Sequence, residues 1–467
     1  MKKGYVYALT LVATLGGLLF GYDTAVISGT VRSLEKFFIE PAGLSEMAAN
    51  SRLGLAVSGA LIGCIIGGFT GGLVSLYLGR KKGMMLAAVL FLVSALGSAW
   101  PEMLIRPIGQ GDHTFLPHFI IYRIIGGIGV GLASMLSPMY IAEVAPPGIR
   151  GRLVSWNQFA IIFGMLLVYF VNYFIVLQGN EDWLHQTGWR WMFASEIIPA
   201  GLFMALLFFV PETPRYLVLK NRPGKAARVL EQVNGREKAA AILEEITSSV
   251  THHSGKMFSY GYKVIIIGIL LSVFQQFGGI NVILYYAPEI FRNMGSKTDA
   301  ALLQTIIVGV INLSFTVLAI VTVDRFGRKP LQIIGALGMA VAMTALGLTF
   351  YFQTVGISSL VFMLVYIACF AVSWGPVTWV LLSEIFPNRI RGRAMAVAVA
   401  AQWISNFLVS VTFPVLDKSS WLTAQFNHGF AYWIYAVMCL LSAWFVWKIV
   451  PETKGKTLEQ MERLWKS

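Results

Sequence analysis

The chain has 467 residues, 56% of them hydrophobic and only 13% charged, with a formal net charge of +13. A soluble domain carries roughly 25% charged residues, and a water-facing surface of this size cannot be built from half of that. Composition thus excludes a soluble enzyme, a disordered chain and a fibrous protein, and a mean hydropathy of +0.68 agrees.

A membrane-spanning helix needs about 20 mostly apolar residues, and twelve such runs follow one another along the chain. The first, 5–28, holds Asp23; it lacks a small-residue cleavage site and reads as a retained helix rather than a signal peptide. The second (53–77) and third (84–101) are joined by Gly79-Arg80-Lys81. The fourth, 119–141, contains Arg123 and the glycines Gly127, Gly129 and Gly131. These glycines mimic a nucleotide loop but sit inside a span, where close helix packing explains them. Glu143 and Arg150 follow, then the fifth run, 153–176, with Gln158. The sixth, 190–210, carries Glu196 and ends at Pro211-Glu212-Thr213-Pro214-Arg215.

Residues 212–262 form the one long polar stretch. Ala226, Ala227, Leu230, Val233 and residues 239–246 predict short amphipathic helices there. His252 and His253 lack a third ligand nearby and read as a solvated pair. The seventh run, 263–292, contains Gln275-Gln276, then Gly278-Gly279, Asn281, Tyr285-Tyr286 and Pro288. Two glycines and a proline weaken the helix where the amides cluster, and an unwound span is tolerated only where it lines a cavity. The eighth run, 301–323, adds Asn312 and leads into Asp324, Gly327, Arg328 and Lys329; the ninth is 331–352. The tenth, 358–383, carries Trp374-Gly375-Pro376 and Trp379, and Glu384 and Arg391 follow it. The eleventh, 394–416, brings Gln402-Trp403, and the twelfth, 427–450, precedes a short polar tail. Cys64, Cys369 and Cys439 lie in apolar runs and match no metal spacing or disulfide framework. No Walker loop, His-Glu-x-x-His or Gly-x-Ser-x-Gly appears, so neither an enzyme nor a cofactor is expected.

The chain repeats itself. Glu143-Val-Ala-Pro-Pro-Gly-Ile-Arg-Gly-Arg152 returns as Glu384-Ile-Phe-Pro-Asn-Arg-Ile-Arg-Gly-Arg393, 241 residues later. Gly79-Arg80-Lys81 returns at 327–329 and Pro211-Glu212-Thr213 at 451–453, offsets of 248 and 240. Each match follows the same span number in its half, which predicts an all-α membrane protein of two six-helix, pseudo-symmetric halves built to rock around a central site. The expected divisions are 1–211, a cytoplasmic helical linker at 212–262, 263–450, and a cytoplasmic tail at 451–467. With both termini inside, 27 of the 36 basic residues fall on the cytoplasmic side and 8 outside. That asymmetry sets the orientation in a plasma membrane and accounts for the positive charge through the lipid surface, without nucleic acid.

An ionised group at the membrane centre costs about 2.5–3.5 kcal/mol on insertion scales, so intramembrane charges mark function. Asp23 and Arg123 are the natural pair, since each alone is uncompensated. A static pair would only fix helix packing; a switch would release Arg123 when Asp23 takes a proton. Glu196, without an evident partner, is a further candidate for the same relay. Gln158, Gln275, Gln276, Asn281 and Gln402 with Trp374, Trp379 and Trp403 suit a neutral polyhydroxyl ligand. Amides donate and accept as hydroxyls do, and indole faces cover the C–H face of a sugar ring. The repeated loop charges (Arg80, Glu143, Arg150, Glu212, Arg215, then Asp324, Arg328, Glu384, Arg391) are candidates for ion pairs that tie helix ends when the inner mouth shuts. Ordinary positive-inside charge explains the Lys and Arg but not the repeated Glu.

Nearly the whole chain resembles the sugar-porter branch of the major facilitator superfamily. Gly79-Arg80-Lys81, Pro211-Glu212-Thr213-Pro214-Arg215, Gln275-Gln276 through Asn281, Asp324 through Lys329 and Pro451-Glu452-Thr453 carry the likeness. The stretches Gly16 to Gly29, Ser134 to Tyr140 and Trp374 to Trp379 look most like bacterial D-xylose–proton symporters. The resemblance implies sugar contacts at Gln158, Gln275, Gln276, Asn281, Trp379 and Gln402, with Phe20, Tyr285, Trp403 and Gly375 nearby. It implies that Asp23 carries the coupling proton with Arg123 as partner; facilitative glucose transporters of the branch have an amide there. It implies alternating access by a monomer that takes up a neutral sugar with a proton; a sugar uniporter and a non-transporting sensor are the alternatives. Met165 departs from a second span-5 glutamine of the xylose symporters, and Gly278 from a bulkier residue.

Overall fold

The computed structural model describes residues 3–146, 149–250, 258–387, 390–454 and 465, with side chains at all of these except 3, 151, 248–250, 323–325, 383 and 391–392. Twelve helical segments are long and apolar enough to cross a membrane. Spans 1 to 6 are Gly4–Gly29, Glu46–Tyr77, Arg80–Ala99, His113–Val144, Arg152–Val176 and Glu181–Leu207; spans 7 to 12 are Lys263–Asn293, Thr298–Thr322, Arg328–Tyr351, Ile357–Leu382, Arg393–Asp417 and Phe430–Lys448. Each contains its sequence-predicted run to within several residues. Helices are the expected outcome, because lipid offers no partner for backbone N–H and C=O and a helix satisfies them internally. Between the two sets of six lie Pro214–Leu219, Pro223–Asn234 and Arg236–Val250. Pro223–Asn234 buries Ala226, Val229, Leu230 and Val233 on one face, as its apolar spacing predicts. The His252-His253 pair lies outside the described residues.

Three spans are broken near their middles, span 6 among them, which turns at Ser195-Glu196 between Trp189–Ala194 and Ile197–Leu207. Span 7 stops at Phe277 and resumes at Ile280, with Gly279 between them at φ +91°, a left-handed conformation open to glycine at no steric cost. The freed carbonyl of Gly278 accepts from Tyr366 Oη at 2.7 Å. Span 10 breaks at Ser373, between Ile357–Val372 and Trp374–Ile385. A side chain at Gly278 would meet only ordinary van der Waals contact, so its difference from bulkier relatives puts no strain on the break.

Small residues set the helix spacing inside the first half. A Cβ at Gly63, Gly67, Gly127 or Gly131 would strike the backbone of the facing helix, span 4 or span 2 respectively. This is close glycine packing of the kind membrane helices use, and it accounts for the loop-like spacing in span 4. Between the halves, span 2 meets span 11 and span 5 meets span 8. Tyr169 Oη donates to the Leu284 carbonyl at 3.1 Å. Further ties across the halves gather on the face away from the termini. There Lys418 Nζ meets Glu35 Oε1 at 2.7 Å, Ser420 N donates to Glu46, and Thr298 Oγ1 donates to Glu181.

Candidate functional site: a buried ion pair beside an amide cluster

Span 1 delivers Asp23 to the interior of the first half, where it is 0% exposed, and span 4 delivers Arg123, 1% exposed. Arg123 Nη1 donates to Asp23 Oδ1 at 2.6 Å, and Nη2 donates to the backbone carbonyl of the same residue at 2.9 Å. The guanidinium stands 5.3 Å from the centre of the Phe193 ring. Such a pair is unavoidable if both charges are dry, because removing one partner from a buried pair costs about 3–5 kcal/mol. Glu196, also 0% exposed, lies beside Asp23 and Arg123. Glu196 meets Asp23 side chain to side chain, and with both acids ionised neither Glu196 oxygen nor Asp23 Oδ2 has a donor among the described residues. Two carboxyls and one guanidinium are therefore neutral as a set only when one proton is shared among the acids.

In the second half the polar groups are neutral and bonded to one another. Gln275 Nε2 donates to the carbonyls of Trp374 and Gly375 at 2.8 and 3.3 Å, tying the span-7 amides to the break in span 10. Gln275 Oε1 accepts from Gln402 Nε2 at 2.8 Å and from Gln276 Nε2 at 3.4 Å. Asn281 Nδ2 donates to Gln276 Oε1 at 2.5 Å. Gln275 is thus a hub whose amide is used internally, whereas Gln402 Oε1 is buried with no partner among the described residues. Gln158 is half-buried on span 5 without a hydrogen bond to a described residue, and Trp379 is half-buried on span 10. Phe20 and Trp403 stack at a tilt with centroids 5.5 Å apart, bridging span 1 and span 11. Tyr285, buried, accepts from Asn406 Nδ2 at 3.4 Å and lies within electrostatic range of Asp23 and Arg123. It lies on span 7, the span that also carries Gln275, Gln276 and Asn281.

The sequence profile of the family described as "Sugar (and other) transporter" matches residues 9–465. The chain belongs to this sugar transporter family. It is 61% identical to the D-xylose-proton symporter of Escherichia coli strain K12, over 99% of this chain and 96% of that protein. It is 42% identical to the glucose facilitated diffusion protein of Zymomonas mobilis, over 100% and 98%. The inward open structure of the xylose transporter from E. coli superposes with a TM-score of 0.90 at 60% identity, covering 99% of this chain and 100% of that one. The major facilitator architecture and the character of a multi-pass bacterial inner-membrane transporter, rather than an enzyme, follow from these matches.

In this sugar transporter the repeated loop charges form the same motif twice, each time within one half. Arg80 Nη2 meets Glu143 Oε1 at 2.7 Å, and Arg328 Nη2 meets Glu384 Oε1 at 2.9 Å. Glu212 accepts from the backbone N–H groups of Arg80 and Lys81, and Glu452 from those of Arg328 and Lys329. The repeated Glu is thereby explained: a carboxylate sits on the exposed N–H groups that open span 3 and span 9. Burial holds the Glu212 carboxyl above its ordinary value, against the backbone donors and Arg80, which pull it down. Arg150 and Arg215 are exposed and pair with no described residue. The side chains of Asp324 and Arg391 lie outside the described residues.

Several groups escaped the sequence reading. Asn406 and Ser410 extend the Tyr285 hydrogen bond along span 11. Glu102 and Arg190 form a second fully buried ion pair at 2.9 Å. Glu35 and Lys418 link the halves. The signal for the first was a pair of small polar residues four apart in a span. The two ion pairs join positions in loops or at the end of an apolar run, where charge is common and partners are not distinguishable by spacing.

Proposed function

We propose that this chain takes up a neutral monosaccharide, D-xylose in the first place, together with a proton, by alternating access. The single observation that carries the reading is the dry Asp23–Arg123 pair reaching, through Tyr285, toward an uncharged amide cluster. The 61% identical relative is named a D-xylose-proton symporter, which supports the same cargo here. Asp23 ionised holds Arg123; a proton on Asp23 removes the anion and frees the guanidinium, and Glu196 keeps the remaining proton of the trio. Gln158, Gln275, Gln276, Asn281, Trp379 and Gln402 hold the sugar hydroxyls and ring, with Gly375 beside them at the span-7 to span-10 junction, and Phe20, Tyr285 and Trp403 close over the ligand.

The halves are 1–211 and 263–450, joined by the linker 212–262 and followed by the tail 451–467, and both termini face the cytoplasm. The terminal-face charges Arg80, Glu143, Arg150, Glu212, Arg215, Asp324, Arg328, Glu384 and Arg391 brace the helix ends that meet when the inner mouth shuts. The ties between Glu35 and Lys418 and between Tyr169 and Leu284 suit an inward-facing state. Each chain encloses its own pathway and works as a monomer.

Uptake of xylose and of glucose into proteoliposomes, with and without an imposed pH gradient, tests the reading. The expected result is xylose accumulation that needs the gradient, and an Asp23→Asn variant that exchanges sugar but no longer accumulates it. Gradient-independent equilibration would instead make the chain a uniporter. Accumulation by Asp23→Asn would move the coupling site elsewhere.

A further inference from the structure

A column of buried hydroxyls takes no part in the site described above. Ser94 and Ser98 lie one turn apart on the same face of span 3, about 6 Å along the axis, and both are 0% exposed. Neither hydroxyl has a hydrogen-bond partner among the described residues. A serine in a helix ordinarily bonds back to the carbonyl four residues earlier, as Ser58 does to Gly54. Unsatisfied buried hydroxyls are costly and call for a partner such as water.

The two ends of the column are informative. At one end is Gly126 of span 4: a Cβ there would overlap the Ser94 hydroxyl and stand 3.3 Å from Asp23 Oδ1. Ser94 and Asp23 thus border one small space, kept open by a glycine. At the other end, just past Ser98, Arg190 Nη1 donates to the Ala99 carbonyl and to both oxygens of Glu102, at 2.9 and 3.1 Å. Gly109 N donates to Glu102 Oε1 at 2.8 Å, folding the exposed loop 103–112 over the pair. The charged groups around the column are Asp23 on span 1, Arg123 on span 4, Glu196 and Arg190 on span 6, and Glu102 beyond span 3. At its outer end the Arg190 charge is matched by Glu102.

We propose that Ser98 and Ser94 relay protons between the outer face and Asp23, on a route inside the first half that is separate from the sugar's. The inference rests on Asp23 being the proton carrier. Hydroxyls one turn apart are spanned by a single water, for which the two unpartnered serine hydroxyls are themselves the polar partners. Each serine oxygen accepts a proton and releases its own, so the serines end unchanged. The arriving proton neutralises the Asp23 carboxylate, and Arg123 loses its anionic partner. Ser94 and Ser98 are none of the groups that hold the sugar in the proposed function, so a proton can reach Asp23 with the sugar already in place.

Valine and threonine have the same shape and differ in the hydroxyl, so the test compares Ser94→Val and Ser98→Val with Ser94→Thr and Ser98→Thr in proteoliposomes. Proton uptake driven by xylose is expected to fall about tenfold in the valine variants, less than the roughly hundredfold contribution of a positioned acid–base group, because nearby water still carries part of the flux. Threonine variants retain the rate, and xylose exchange, which needs no net proton movement, is equal in all four. Equal proton uptake in the valine and threonine variants overturns the relay. If valine variants fail to exchange xylose, Ser94→Ala and Ser98→Ala replace them, and unchanged proton uptake in these overturns it equally. An Asp23→Asn control that still accumulates xylose would sink the proton-carrier reading itself, a result distinct from either.

Discussion

The two halves descend from one six-helix plan, yet they treat the membrane interior in opposite ways. The first half buries an aspartate, a glutamate and an arginine within reach of one another. The second half buries amides, indoles and a tyrosine, bonded to each other at a broken span. The duplicated scaffold is legible at the terminal face, where Arg80–Glu143 and Arg328–Glu384 repeat nearly atom for atom. At the centre the copies have diverged, the first half holding a charged cluster and the second an uncharged one. Charge is strong and switchable by one proton; amides are weaker individually and indifferent to pH. On the proposed function, the proton is handled in the first half, while the sugar is held by the second-half amides together with Gln158 and Phe20 of the first.

This division of labour can be sharpened by variants on the amide side. Gln276→Ala removes the acceptor of Asn281 and one donor to Gln275. It should weaken sugar binding by about 1.4 kcal/mol, roughly tenfold, while the number of protons moved per sugar stays the same. Sugar titration by calorimetry, paired with flux ratios, checks both halves of the statement; a changed ratio would show that the amides belong to the proton device too.

The outer tie tests whether the halves communicate through their edges. Burial pushes Glu35 up, but Lys418 and Arg32 outweigh it and hold its carboxyl below its ordinary value. With a depressed folded-state value, the stability from this tie is present above the ordinary carboxylate range and is lost only as pH falls through the lowered value. Lys418→Met should release about 1 kcal/mol of closure on the face away from the termini, a roughly fivefold shift toward the state open at that face. Thiol labelling of a cysteine introduced into the cavity on that face should report that shift, constant from neutral pH down to the point where wild type itself loosens.

The smallest expected effect concerns Met165, buried on span 5 with its backbone close against Gly21. Methionine cannot donate a hydrogen bond. Met165→Gln should favour xylose over glucose by about threefold, the worth of a modest hydrogen bond. Competition uptake with the two sugars measures it, and an unchanged ratio removes the residue from the selectivity set.

Much of this arrangement was legible in the amino-acid order, for physical reasons. The spans announce themselves because lipid tolerates little else. Asp23 and Arg123 stand out because an isolated intramembrane charge is too costly to leave unpaired. The weakening of span 7 follows from Gly278-Gly279 and Pro288 beside two amides. What stayed hidden depended on three-dimensional accidents of loop packing. Glu102 and Arg190 lie 88 residues apart, and Glu35 and Lys418 are 383 apart. Nothing in either neighbourhood marks the partner. The repeated Glu212 and Glu452 were visible as a pattern, but their purpose, seating on helix-opening N–H groups, required the fold. The exposure of Arg150 and Arg215 is likewise a property of where the chain turns, not of which residues it contains.

The trio of Asp23, Arg123 and Glu196 also fixes where an electric field can act. With one proton shared between the acids the empty carrier holds no net charge there; a second proton makes it +1. On the proposed coupling, the transmembrane voltage, worth about 2.3 kcal/mol per elementary charge for each 100 mV, pulls on the loaded passage inward and leaves the unladen return untouched.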